Sequence, residues 1–384
     1  MSSFIRTCLA YTLLFLSQYM LMPVIPTFLS ERLEVVAPSS GSVYLYLTLG
    51  MLIIGGFQAY LLDAFRRKSV AFFSILGLAL LSVAYMFVNR EIELYIFPFV
   101  QGILFALANV SITTISIDVL PTDERDCGNK WMGVATFTGM FIGLVAGHSC
   151  YRWLADTQWF FAIVIGALLL AAIFILSVPV AFRAPIGLSV FSTDRFILPR
   201  SWVPALNLLL LGLPMGILLF RPESESFLLP LFGQSMTLTL PILVGAGGLV
   251  GLLIYRIYPD SLKEYRRALI GLLITMHASF LLLVHNEWTA CISVAVMGIG
   301  WGMSLPATLR MFVNLSRHCQ RVSANTTFVL AWQTALAVGI WTSGYLREHA
   351  FPLHTFHLGM LALIAAVLWF LFISVPYYKR SLYD

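Results

Sequence analysis

A chain of 384 residues could hold two soluble domains, but 59% hydrophobic residues, 14% aromatics, 11% charged residues and a mean hydropathy of +0.88 lie outside the soluble range and mark an integral membrane protein. The net charge of +5 is explained by cationic loops and needs no nucleic-acid partner.

Twelve apolar runs follow one another, each long enough to cross a hydrocarbon core of roughly 30 Å as a helix. The predicted spans are 8–29, 43–62, 69–88, 94–118, 131–151 and 160–182 in the first half, then 204–229, 239–257, 268–285, 289–313, 326–346 and 358–376. The first run is read as helix 1 rather than a cleaved leader, because Pro23 and Pro26 interrupt it and no small-residue cleavage site follows. Placing the N-terminus in the cytoplasm puts eighteen of the twenty-three lysines and arginines on the inner side, and the excess recurs loop by loop. Both termini are therefore expected in the cytoplasm. Cys8, Cys127, Cys150, Cys291 and Cys319 are odd in number and scattered, so neither a disulfide framework nor a metal site is expected.

A shift of 196 residues places Gly102 on Gly298, Arg125 on Arg321, Asn129 on Asn325, Thr138 on Thr334 and Gly143 on Gly339 without a gap, and also Gly55 on Gly251. Six helices preserve sidedness, so the pattern predicts a parallel duplication. The expected division is a six-helix bundle over 1–182, a linker over 183–203 lying along the membrane surface, and a second bundle over 204–384.

The loop between helices 2 and 3 reads Ala59, Tyr60, Leu61, Leu62, Asp63, Ala64, Phe65, Arg66, Arg67, Lys68. With twelve helices in two parallel halves, this loop resembles the G-x-L-x-D-x-x-G-R-K pattern of the major facilitator superfamily: Leu61, Asp63, Arg67 and Lys68 match, while Ala59 and Arg66 replace the two glycines. The resemblance implies an all-α membrane fold of two pseudo-symmetric six-helix bundles and a gate at this loop. Asp63 would cap the start of helix 11 near Asn325 and Thr326, and Arg67, beside Lys68, would pair with Asp118 at the inner end of helix 4. Such contacts are worth on the order of 1 kcal/mol each, enough to bias a two-state equilibrium several-fold. A loop that only orients the helices would also account for the cations.

On helix 5, Gly139, Gly143 and Gly147 share one face and admit a neighbouring backbone, with Ala335, Gly339 and Ser343 as the counterpart on helix 11. In the family a glycine-rich helix 5 with a Gly-Pro pair is associated with antiporters; here Leu144 replaces the proline, and plain tight packing would explain the glycines equally well. On helix 4, Gln101 and Gly102 are present, but Pro98 stands where the family pattern has an arginine. Candidates for coupling are Arg221, Glu223 and Glu225 at the outer end of helix 7, or in the loop beyond it if Pro222 ends that helix, together with His148. The family's cavity-lining helices 1, 4, 7 and 11 carry Gln18, Tyr19, Gln101, Asn109 and Gln333 as substrate-cavity candidates. Amides and aromatics with few charges suit an uncharged or amphipathic solute.

No Gly-x-Ser-x-Gly elbow, His-Glu-x-x-His or paired intramembrane aspartates suggest an enzyme, and no phosphate-binding loop suggests an ATP-driven pump. The expectation is a monomeric secondary transporter without cofactor or metal, in the membrane of a bacterial cell. It exports a small organic solute against protons or another ion; import by symport, or a non-transporting receptor on the same fold, are the alternatives.

Overall fold

The computed structural model of the chain describes residues 3–33, 37–154, 156–180, 187–219, 227–231, 234–257, 263–284, 286–317, 320–348 and 355–381. Each expected span corresponds to a helix. In chain order these are α1 (Ser3–Leu33), α2 (Ala37–Gly55, continued by Gln58–Ala64), α3 (Arg67–Tyr85), α4 (Glu93–Asp118), α5 (Arg125–Trp153) and α6 (Thr157–Ser177). The second half gives α7 (Trp202–Leu219), α8 (Leu240–Ile257), α9 (Glu264–Phe280), α10 (Glu287–Asn314), α11 (Arg321–Glu348) and α12 (Thr355–Trp369, extended through a π turn by Val375–Ser381).

Three elements differ from expectation. The 43–62 span is not straight: α2 bends by 57° between its two pieces, where adjacent Gly55 and Gly56 weaken the helix. The described part of the seventh helix runs to Leu219, and it does not reach 229, since residues 227–231 are extended. An antiparallel hairpin follows instead, β1 (Phe227–Leu231) with β2 (Gln234–Leu238), in register from Phe227 opposite Leu238 to Leu231 opposite Gln234. The eleventh begins at Arg321, so Asn325 and Thr326 lie in its second turn rather than at its start.

Among the described residues ten helices are long and apolar enough to span a membrane, and the bent α2 makes an eleventh. The twelfth, α11, is 28 residues long but carries Asn325, Thr326, Thr327, Gln333 and Thr342. Its polarity is tolerated because it packs among α2, α4, α7 and α10, with Trp332, Gln333 and Leu336 almost fully buried. The lipid-facing positions fall elsewhere: α3, α6 and α9 each bury 39% of their apolar stretch and α12 33%, against 72% for α1 and α10. Twelve crossings bring the chain back to the face from which it starts, called here the terminus-bearing face.

The duplication appears in the contacts. Gly102 on α4 faces the Leu47 carbonyl of α2, and Gly298 on α10 faces the Val244 carbonyl of α8. Gly143 on α5 faces the Leu16 carbonyl of α1, and Gly339 on α11 faces the Leu213 carbonyl of α7. The α4/α10 and α5/α11 pairs keep the 196-residue shift, whereas their partners on α1/α7 and α2/α8 are offset by 197. The expected match of Gly55 with Gly251 therefore fails: Gly251 faces the Ile299 carbonyl, while Gly55 faces the Phe196 ring. Across the two bundles, α2 packs on α11 and α5 on α8.

Candidate functional site

At the terminus-bearing end of α2, the loop to α3 is tied down by its charges. Arg67 opens α3 and its Nη1 pairs with Asp118 Oδ2 at the end of α4, as expected, with both side chains largely shielded (14% and 11% exposed). Lys68 Nζ donates to the Val178 carbonyl beyond α6 at 2.9 Å. Asp63 Oδ2 accepts from two backbone amides, Gly187 at 2.9 Å and Leu188 at 3.1 Å, on the connector between the bundles. Asp63 is thus tied to the connector, which in turn bonds Thr326 and Thr327 of α11. Over residues 187–201 the connector lies against α2 and α11.

α1 carries three hydrogen-bonding residues, Tyr11 and, two helical turns further on, the adjacent Gln18 and Tyr19. The Tyr11 hydroxyl donates to Asn109 Oδ1 on α4 at 2.6 Å and accepts from Asn325 Nδ2 on α11 at 3.0 Å, which joins the two bundles. Deeper along α1, Gln101 Nε2 donates to Gln18 Oε1 at 2.9 Å while its own Oε1 accepts from Tyr85 on α3 at 2.9 Å. Gln333 Nε2 on α11 donates to the Tyr19 hydroxyl at 3.2 Å, a second link between bundles. The five residues expected to share one cavity therefore divide into three nodes. Gln18 and Gln101 border a narrow cleft inside the first bundle with Ser17, Ser82 and Tyr85; Asn109 joins Asn325; Tyr19 joins Gln333. Gln18 Nε2 and Gln333 Oε1 are buried with no hydrogen-bond partner, which leaves one donor and one acceptor to be satisfied by water or a solute.

A further cross-bundle cluster was not foreseen. Arg310 near the end of α10 reaches Glu264 Oε1 at 3.2 Å and Asp126 Oδ2, on α5 of the other bundle, at 3.6 Å. Arg256 at the end of α8 sits 4.1 Å from the centroid of the Trp131 ring of α5. Phe328 on α11 packs edge-on against Phe137 of α5 and Phe312 of α10, and Leu309 lies in van der Waals reach of Gly133. The terminus-bearing side of the seam is thus closed by aromatic packing and bridged by several separable polar pairs.

This arrangement of twelve helices has a family assignment. The model of the Major Facilitator Superfamily matches residues 7–276, most of the chain. The chain belongs to the Major Facilitator Superfamily. Among solved structures, the chain is similar to a D-xylose-proton symporter (TM-score 0.70, 16% identity, 96% of each chain covered). It is also similar to a point mutant of the nucleoside transporter NupG (TM-score 0.66, 14% identity, 100% of this chain and 99% of that one). A third is a bacterial homologue of the human lysosomal transporter Spinster, inward-facing and occupied (TM-score 0.65, 14% identity, 98% and 96%). These likenesses carry the fold, and no curated protein matches by sequence.

As a member of the superfamily the chain is a transporter rather than an enzyme. The glycines of α5 bring two helices together: Gly139, Gly143 and Gly147 face the Thr12, Leu16 and Met20 carbonyls of α1, so the backbones of these helices meet along three turns. Of the coupling candidates, Arg221, Glu223 and Glu225 lie outside the described residues. His148 lies on α5 one turn before Arg152, with its Nε2 buried and unpartnered. No cluster of His, Cys, Asp or Glu among the described residues could hold a metal ion.

Proposed function

We propose that this transporter moves a small uncharged or amphipathic organic solute by alternating access, and that it exports the solute in exchange for protons. The two bundles, 1–182 and 204–384, rock about a site between α1 and α11, with 183–203 as their linker. The observation that carries this reading is the seam on the terminus-bearing side. There the bundles are joined by aromatic packing, Phe137 on Phe328, and by a few separable polar contacts, Tyr11–Asn325, Asp126–Arg310 and Trp131–Arg256. Contacts worth on the order of 1 kcal/mol each can be broken once per cycle. Asp63, Arg67, Lys68, Asp118 and Asn325 form the gate region of that face. The excess of loop cations supports reading this face as cytoplasmic; the proposed setting is the membrane of a bacterial cell, with the chain working as a monomer.

The solute class follows from the chemistry of the α1–α11 node. Tyr19, Trp332 and Gln333 are buried, the Gln333 amide oxygen is unpartnered, and the neighbouring Gln18 node leaves an unpartnered donor. Such groups reward a neutral solute that both donates and accepts hydrogen bonds, since leaving them unpaired costs roughly 1–3 kcal/mol per group. Export is favoured by the glycine face of α5, and the coupling group is sought among His148, Arg221, Glu223 and Glu225. Import by symport is the second reading, supported by the structural likeness to a D-xylose-proton symporter.

The test is flux in proteoliposomes of the purified protein, using a panel of neutral sugars, nucleosides and amphipathic solutes under a proton gradient of either sign. Solute moving opposite to the protons supports export by exchange; solute moving with them replaces it by symport. Binding without movement in either direction would reduce the protein to a receptor.

A further inference from the structure

The connector holds both helices of the α2–α11 seam at once. On the α2 side, Gly187 and Leu188 donate their amides to Asp63, and Ser192 N donates to the Gly56 carbonyl at 2.8 Å. Gly187 has φ 78°, a conformation suited to glycine, and it directs two successive amides at one carboxylate oxygen. Two aromatic side chains are seated on the break in α2. The Phe191 ring lies over Gly56 and meets Phe57 edge-on at 5.9 Å, and the Phe196 ring, 7% exposed, fills the space in front of Gly55. Any Cβ at either glycine would meet those rings, so the adjacent glycines serve as sockets as well as a bend.

On the α11 side the hold is made by two hydroxyls. Leu198 N donates to Thr327 Oγ1 at 2.8 Å, and the Thr326 hydroxyl lies 2.9 Å from the Arg195 carbonyl and 2.8 Å from the Phe196 carbonyl. Arg195 has φ 60°, which non-glycine residues adopt only when the surroundings enforce it. That turn brings the carbonyls of residues 195 and 196 to Thr326.

We infer that residues 187–198 are a clasp of the gate: the connector stays with α2 and lets go of Thr326 and Thr327 when the bundles part, so these two threonines set how often the terminus-bearing face opens. This rests on the alternating-access reading above. The asymmetry of the two sides decides which one releases. The α2 side combines a charge-assisted pair of bonds with a buried ring, whereas the contacts made by Thr326 and Thr327 are neutral hydroxyl contacts, about half as strong each. Thr326 and Thr327 act through the connector and are positioning residues.

The experiment reads the distance between the bundles without any solute. Spin labels at Asp123→Cys and Arg317→Cys, both exposed on loops of opposite bundles, are introduced into the full chain with its own cysteines replaced by serine, in lipid nanodiscs. Pulsed dipolar spectroscopy then gives the distance distribution. Replacing both threonines by valine keeps the β-branched shape and removes the hydroxyls, and it is expected to raise the ratio of a longer-distance population by about fivefold or more. Thr326→Ser with Thr327→Ser restores the original distribution. Should the double valine variant fail to fold, Thr327→Val alone, which removes the Leu198 acceptor and the longer 3.3 Å contact with the Phe196 carbonyl but keeps the Thr326 hydroxyl, is expected to shift the ratio in the same direction by a smaller factor. A distribution unchanged by valine, or changed equally by serine, overturns the clasp. The two proposals fail separately: flux with an unchanged distance distribution sinks the clasp alone, whereas a longer-distance population in a protein that carries no solute sinks transport alone.

Discussion

Tyr11 shows how one hydroxyl can join two bundles inside a membrane at small cost. It donates to Asn109 and accepts from Asn325, so its hydrogen-bonding capacity is used without any charge in the low-dielectric interior. Arg67 and Asp118 do the corresponding work within the first bundle with charge, at the membrane edge where water still reaches part of each group. Removing one partner there leaves an incompletely paired ion, so Asp118→Asn is expected to lower stability by about 1–3 kcal/mol in a detergent unfolding titration. Arg67→Gln combined with Asp118→Asn is expected to recover part of that loss; additive losses would show that the two groups do not act as a pair. At the solute node, Gln333→Leu keeps much of the side-chain volume but removes the link to Tyr19. It is expected to weaken solute affinity tenfold or more with little change in unfolding midpoint, about the effect of one unsatisfied buried partner. Unchanged affinity in that variant would place the solute elsewhere. Sequence exposed the Arg67–Asp118 pair because a local pattern and a helix end carry it. The cross-bundle roles of Tyr11 and Arg310 went unseen because no spacing along the chain records a contact between α1 and α11 or between α10 and α5.

The helices owe their positions to where backbones touch. Gly143 faces the Leu16 carbonyl and Gly339 the Leu213 carbonyl, whereas Gly166 on the lipid-facing α6 has open space where a Cβ would point. Gly143→Val is therefore expected to destabilise the protein by about 1–3 kcal/mol or more through forced separation of α1 and α5. Gly166→Ala is expected to be neutral or to stabilise by up to about 1 kcal/mol through helix propensity. Thermal unfolding of both variants in detergent checks the contrast, and equal effects would show that the close approach is not what places α1. Helix existence was legible in the apolar runs, and the glycine face of α5 in its four-residue spacing. The bend of α2 was not, because Gly55 and Gly56 sit inside an otherwise continuous apolar run and only the Phe191 and Phe196 rings of a distant segment give the break its use. The hairpin beyond α7 was hidden in the same way: 227–231 is apolar enough to pass for the end of a helix, yet it pairs as a strand.

At the scale of the molecule, two bundles share one plan with a one-residue offset. Contacts on α4 and α10 repeat at 196 residues while their partners on α2 and α8 repeat at 197, so the duplication survives in the backbone contacts where little of it survives in side chains. Two related bundles can exchange a seam closed on one face for a seam closed on the other through small changes in a few contacts. The central claim is that the contacts on the terminus-bearing side break and re-form in every cycle. Trp131 and Arg256 face each other across that seam and are both exposed, which makes them suited to a cross-link. Flux of the solute identified in proteoliposomes is measured for Trp131→Cys with Arg256→Cys, in a background without other cysteines, before and after a short bifunctional thiol reagent that a reductant cleaves. Transport that stops on cross-linking and returns on cleavage is the predicted result; transport that continues at its original rate with the two bundles tied together would contradict it.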